Sequence, residues 1–318
     1  MNQAQSGPRP TIRQQRRSKQ ALVEELWGYL FITPWMLGFI ILTVGPMLAS
    51  LYFSFTEFSF PRNPRWIGLG NYSRAFSKDT LFPTSLWNTV YYVGLSVPLG
   101  VLLSLALAML MDRKIPWRPL WRTIYYLPSL VPTVSAAFLF MYIFQPNYGL
   151  INSWLWRLFE IEGPGWFQSR VWVKPSLILL ALWGAGGPTM IILLAGLQGV
   201  PRELYDAAEV DGADRWQKFF YITLSMLSPT IFFVTVTGLI GAFKVFSAAY
   251  VSTAGGPYYG SYFYVLHLFT QAFRHWNLGY ASALAWILFV IILILTLVQF
   301  KFAGRWVYYE SGALDESK

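Results

Sequence analysis

Residues 200–230, VPRELYDAAEVDGADRWQKFFYITLSMLSPT, form the one long polar segment lying between strongly apolar runs. They hold Glu203, Asp206, Glu209, Asp211 and Asp214, five of the fifteen acidic residues of the chain, with Ala207, Ala208 and Gly212 set among them. Pro201 suits the first turn of a helix, where its missing N–H has no partner to lose. The helix formers that follow place Leu204, Ala207 and Ala208 at i, i+3 and i+4, which makes one modest apolar face. Gly212 then breaks the helix, and Asp214 is placed to cap a second one that presents Trp216, Phe219 and Phe220 before the next apolar run. A loop that only joins two apolar helices has no need of this mixture. Small residues at a corner let another backbone or side chain come close, and acidic neighbours offer partners for Arg or Lys on an incoming surface. The plainer reading is an interfacial helix lying on headgroups, but such a helix is usually basic on its polar face and this one is acidic. The segment therefore reads as a docking site for a protein.

Around it, the chain is 55% hydrophobic and 12% charged, where about a quarter of the residues of a soluble domain are charged. It reads as an integral membrane protein. There is no cysteine, so disulfides and thiolate metal sites are excluded, and two histidines, His267 and His275, do not make a histidine-rich metal site. The net charge of +9 does not gather on one basic face; Lys and Arg flank apolar runs, which points to membrane topology and away from nucleic acid. Arg9, Arg13, Arg16, Arg17 and Lys19 lie in an amino-terminal arm, residues 1–25, read as a topogenic charge cluster. The arm is not read as a secretory signal, because the apolar run after it is too long and no small-residue cleavage site closes it.

A membrane-spanning helix needs about 20 largely apolar residues. Six runs meet that length, near residues 29–53, 89–111, 124–144, 175–197, 226–249 and 283–302. Pro34 and Pro46 in the first, Pro98 in the second, and Pro128 with Pro132 in the third imply kinks or late starts. With the amino end inside, the inner segments carry fifteen Lys and Arg and the outer loops eight, Lys244 being the remaining one of twenty-four. That asymmetry places both termini in the cytoplasm. The expected fold is an all-α membrane protein of six transmembrane helices: a basic arm at 1–25, one membrane domain at 26–304 with its polar loop at 200–225, and a cytoplasmic tail at 305–318. Tryptophans and tyrosines crowd the outer loops, as expected of side chains with an apolar body and a polar tip.

All fifteen Asp and Glu fall outside the six runs. Proton-driven carriers keep an ionisable relay at membrane depth, since such a group is costly there and is retained for work. No Gly-x-x-x-x-Gly-Lys-Ser/Thr sequence is present to hold nucleotide phosphates. Energy for any transport must then come from a partner. An enzyme reading fails for want of a nucleophile with its base or a metal triad. Lys244, in GAFKVFSAAY, lies roughly 18 residues into its run at ~1.5 Å each, near the outer end; it either snorkels to headgroups or faces a solute path. Trp183 and Thr237 are further candidates for that path, with Thr189, Thr235, Asn277 and Gln145 scattered beside them.

The run Asp206-Ala207-Ala208, then Asp211-Gly212-Ala213, then Phe219, Ile222, Leu224 and Pro229 resembles the EAA loop of ABC importer permease subunits, binding-protein-dependent transport components of the inner membrane. Asp206 stands where that family usually has Glu, and Ser225 where Pro is usual. In the last outer loop STAGGPYYGSYFYVLHLFTQAF, followed by NLGYASALA, is similar to the Thr-x-Gly-Gly-Pro segment (here Thr253, Gly255, Gly256, Pro257) of the carbohydrate branch, the maltose and glycerol-3-phosphate permeases. Ser247 stands where an Asp is usual. The resemblance implies a permease subunit of an ATP-driven sugar importer in a bacterial or archaeal plasma membrane. Its expected partners are a second permease, two ATPases that bind ATP and Mg, and an extracytoplasmic solute-binding protein, with no cofactor in this chain. Glu203, Asp206, Ala207, Ala208, Asp211, Gly212 and Ala213 would dock one ATPase as a coupling helix. A stand-alone channel or facilitator, and a permease of the same kind for a non-sugar solute, are the alternatives.

Overall fold

The computed structural model describes residues 19–308 except Lys114. The arm residues Arg9, Arg13, Arg16 and Arg17 and the tail residues Glu310, Asp315, Glu316 and Lys318 lie outside them. Two compact units emerge, one ending at Tyr52 and the other beginning at Phe53. In the first, α1 (Lys19–Phe39) passes through one wide turn at Ile40–Val44 into α2 (Gly45–Ser54). Pro34 is accommodated inside α1 without ending it. Its apolar side chains, such as Phe31 and Leu42, are open to the surroundings, as suits a helix whose solvent is hydrocarbon.

The second unit is a helical bundle. It begins with two short paired strands, β1 (Thr56–Glu57) and β2 (Arg65–Trp66), and α3 (Gly70–Ser77). Then follow α4 (Leu81–Asp112), α5 (Arg118–Tyr126), α6 (Thr133–Ile143), α7 (Leu150–Phe159), α8 (Val173–Trp183) and α9 (Pro188–Gln198). The chain continues with α10 (Arg202–Val210), α11 (Arg215–Gln217), α12 (Leu224–Phe243), α13 (Ser247–Thr253), α14 (Tyr264–Phe269) and α15 (Leu278–Ala303). The long helix α4 is the centre and packs against α8, α9, α12 and α14. Met111, Met190, Leu193 and Leu227 close the core near one end of α4, and Phe263, Tyr264, Leu284 and Val173 near the other.

Among the described residues four helices are long and apolar enough to cross a membrane, Val23–Ser54, Leu81–Asp112, Arg215–Phe243 and Leu278–Ala303. The count rises to six only if each of two bent pairs is one crossing. Arg118–Leu130 meets Thr133–Ile143 at 96°, and Val173–Trp183 meets Pro188–Gln198 at 51°. Pro128 and Pro132 stand at the first bend, as their lost donors and ring clashes dictate. The second bend is made by the glycines of 184–187. There Gly186 lies so close to the Tyr125 carbonyl that a Cβ would overlap it, so the two bends touch. The Ser104 hydroxyl of α4 donates to the Ala185 carbonyl at 2.7 Å, satisfying a backbone acceptor that the bend takes out of the helix.

The expected boundaries shift in two instructive places. The second run starts eight residues early, at Leu81, because Asp79 Oδ1 accepts from the amides of Leu81 (2.9 Å) and Phe82 (3.1 Å) and fixes the helix start there. The fifth run is placed at 226–249 by apolarity, yet α12 ends at Phe243. Lys244 and Val245 turn their amides back to Gly241 and Ala242, and an apolar run carries no mark of such a break.

Candidate functional site

The polar segment folds into a compact corner. Pro201 is the residue just before α10. At the far end of α10 the Ala213 amide donates to the Ala208 carbonyl (2.9 Å) and the Gly212 amide to that of Glu209 (3.1 Å). With Gly212 at φ +79°, this is the Schellman arrangement, which needs a left-handed residue after the last turn and takes glycine for want of a Cβ clash. Two residues later a reciprocal cap starts the next helix: the Gln217 amide donates to Asp214 Oδ1 at 2.8 Å, and the Asp214 amide to Gln217 Oε1 at 2.7 Å. α11 then runs through a wide turn at Lys218–Thr223 into α12 without a break. Ser225 lies within that continuous helix, where the resembling family has its proline.

Two side-chain contacts tie α10 to the foot of α12. The hydroxyls of Tyr205 and Thr223 meet at 2.8 Å, and Lys218 Nζ pairs with Glu209 Oε2 at 3.0 Å. No residue of α10 is buried. Glu203, Asp206, Ala207, Asp211 and Gly212 are exposed, Ala208 and Ala213 half-buried. Val210, Trp216 and Tyr221 stand 89%, 71% and 78% exposed, apolar surface that none of the described residues covers.

At the other end of α12 a cavity of about 570 Å³ opens between α4, α6, the α8–α9 bend and the segment after Phe243. Lys244 and Trp183 line it, as does Thr189. Thr237 does not; its hydroxyl donates to the Phe233 carbonyl of its own helix at 2.9 Å. Beyond lies a groove of about 590 Å³ whose walls include Tyr142, Gln145, Tyr148, Thr253, Gly256 and Pro257. Thr253 and Ser261 share a hydroxyl contact of 2.6 Å, and Ser261 donates to the Gly256 carbonyl at 2.8 Å, so Thr253 holds the Gly255-Gly256-Pro257 turn closed. Thr235 and Asn277 line neither space.

A third constellation escaped the sequence reading. Asp79 Oδ2 accepts from the Tyr280 hydroxyl (2.6 Å) and from His267 Nε2 (2.8 Å), while the Tyr262 hydroxyl reaches His267 Nδ1 (3.3 Å). Arg74 stacks over the Tyr280 ring at 4.3 Å. Burial by itself raises the Asp79 pKa, but the Tyr280 hydroxyl, the imidazole and the two helix amides outweigh it and hold the carboxyl below its usual 3.8. Burial likewise pushes His267 below 6.5, against the pull of Asp79, so the ring is neutral at pH 7 and donates from Nε2. The unfolded chain then binds more protons than the folded one below pH 6.5, and stability falls as pH falls, first through His267 and below 3.8 through Asp79. The protection factors of the α14 amides, taken relative to the intrinsic exchange rate at each pH, are expected to fall between pH 7.5 and 5.5; unchanged protection factors would show that His267 does not titrate in this window. No local signal marks the constellation, since Asp79 and His267 lie 188 positions apart.

Four helices of membrane-spanning length, two bent helix pairs, a cavity beside the central helix and an exposed polar corner point to a membrane transport protein. The chain belongs to the family of binding-protein-dependent transport system inner membrane components, which it matches over residues 96–307; it is an ABC transporter permease. It is 40% identical over 299 residues to the probable ABC transporter permease protein YesP of Bacillus subtilis, covering 93% of this chain and 96% of that one. To the arabinooligosaccharides transport system permease protein AraP of Halalkalibacterium halodurans it is 32% identical, covering 87% of each. A bacterial alginate ABC transporter, solved in complex with an alginate pentasaccharide-bound periplasmic protein, has a chain of the same fold, with a TM-score of 0.80 at 23% identity over 91% of this chain and 98% of that one.

Proposed function

We propose that this chain is one membrane subunit of an ATP-driven sugar importer, with six crossings and both termini in the cytoplasm. It forms half of the translocation path with a second permease. α10 and the Gly212 corner dock in one of two ATPases, which bind ATP and Mg, and an extracytoplasmic binding protein delivers the solute at the opposite end, in a bacterial or archaeal inner membrane. Residues 1–25 are a basic arm, 26–304 the membrane domain and 305–318 the tail. The observation that carries the reading is the corner: an acidic, small-residue helix with no buried side chain, tied at two points to a helix that leads to the cavity. Closure of the ATPases on ATP shifts α10 as a body, and the shift favours one of two states of the cavity. The kinship with AraP, named for arabinooligosaccharides, supports a sugar as cargo. Purification from its native membrane is the test. The importer reading requires an ATPase and a second permease to co-purify and uptake into liposomes to need ATP; solute flux through the isolated chain would replace it with a facilitator.

A further inference from the structure

The described residues around the cavity beside α4 are neutral with one exception. Among the described residues Lys244 is the only charged side chain that lines it, and no carboxylate belongs to the lining. Tyr92, Ser96, Ser129 and Thr189 contribute hydroxyls and Trp183 an indole. Ser96 is 8% exposed and its hydroxyl oxygen is buried; Tyr92 interacts with it, but no hydrogen bond of regular geometry forms. A buried hydroxyl left in that condition is costly unless something reaches it. The cavity thus carries two groups that a ligand can answer, an exposed cation and a buried hydroxyl with Tyr92 as its neighbour.

The Lys244 ammonium is exposed and open to an anion that enters the cavity, to which it is drawn by simple charge attraction. Nothing in the wall offers that anion. Resting on the reading of the chain as a sugar permease, we propose that its cargo is an acidic sugar, one bearing a carboxylate that passes Lys244 while its ring meets the Trp183 indole and the hydroxyls of Ser96 and Thr189. An indole suits the apolar face of a sugar ring, and hydroxyls suit its rim. Lys244 favours a negatively charged solute, and a neutral one leaves the charge unanswered. Selectivity of this kind costs little to build, because one unpaired charge rejects solutes that cannot pair with it.

Two other anions can answer Lys244. A lipid phosphate is reachable if the side chain snorkels, and a carboxylate of the second permease is reachable if the side chain faces that subunit. Neither depends on the charge of the solute, which makes the readings separable.

The assembled transporter, with its partner permease, ATPases and binding protein, is reconstituted in liposomes. It is offered galacturonate, glucuronate and mannuronate disaccharides, the methyl esters of the same sugars, and neutral arabino-, galacto- and gluco-disaccharides. Import of at least one acid in preference to its ester is expected. Lys244→Gln should cut that uptake about ten-fold, as loss of one member of a close charge pair does, and Lys244→Arg should keep most of it. Recovery of the ATPase with each variant reports on assembly. Import of neutral sugars or esters with no uptake of the acids overturns the inference and leaves the sugar permease standing. Wild-type uptake of an acid by Lys244→Gln overturns it too, as does an equal loss for charged and neutral sugars, which points to a lipid or subunit partner. A coupled, assembled transporter that imports none of these sugars overturns the sugar reading itself.

Discussion

Gly212→Asp is expected to abolish solute uptake by the assembled transporter while the chain remains in the membrane. Gly212 sits at φ +79° with nothing within 4 Å of the place a Cβ would occupy, so a side chain there meets no steric barrier, only backbone strain. For a residue with a Cβ that strain costs about 1–2 kcal/mol, too little to unfold a domain whose helices are held elsewhere. The larger effect is at the surface. A further carboxylate beside Asp211 and Asp214 projects from the corner proposed to receive the ATPase, and it opens the turn that follows α10. Uptake and the stimulation of ATP hydrolysis by loaded binding protein should fall together by about 100-fold or more, the effect of about 3 kcal/mol at a docking hot spot. Gly212→Asn is the control. Asparagine tolerates the left-handed conformation and adds no charge, so it should keep most of the activity. Equal uptake by wild type and Gly212→Asp would remove the corner from the coupling route.

Asp79→Ala is expected to give the largest loss of stability of any single side chain outside the membrane crossings. Its carboxylate accepts four hydrogen bonds, from the amides of Leu81 and Phe82, the Tyr280 hydroxyl and His267 Nε2. His267 is fully buried and Tyr280 nearly so. Truncation strands these donors together, at a cost of about 3–5 kcal/mol, and it frees the first turn of the central helix. The thermal midpoint followed by tryptophan fluorescence should drop sharply in detergent. Asp79→Asn should lose less, roughly 1–2 kcal/mol, because its oxygen still accepts from the helix amides while its NH2 donates to a rearranged imidazole. An unchanged midpoint for Asp79→Ala would mean that the cluster holds nothing together.

The helical class, the polar corner and the cap at Asp214 were legible in the sequence because each rests on short-range chemistry. Gly212 marks a left-handed turn and the Asp214–Gln217 spacing a reciprocal cap, and neither needs a neighbour from elsewhere in the chain. What stayed hidden is long-range or silent. The 51° bend at 184–187 was absorbed into an apolar run, since glycines inside such a run mark a break only once Tyr125 is seen against Gly186. Lys244 was placed inside a helix because Phe246, Ala248 and Ala249 continue the apolar pattern past the point where the hydrogen bonds turn back. Asp79 and His267 looked like two unrelated polar loop residues until folding brought them to 2.8 Å. Lys244, the one cation inside an apolar run, and Trp183, one of the scattered path candidates, share one cavity wall, whereas Thr237 uses its hydroxyl on its own helix.

The corner has one more property. The hydrogen bonds that shape it, from the Ala208–Ala213 and Asp214–Gln217 pairs to the Tyr205–Thr223 contact, and its Glu209–Lys218 pair, all fall between Pro201 and Thr223. Its form is thus written locally. On the docking proposed for this corner, the plug and the passage are then separate inheritances: one permease lineage can exchange ATPases while keeping its solute, or change solute while keeping its ATPase.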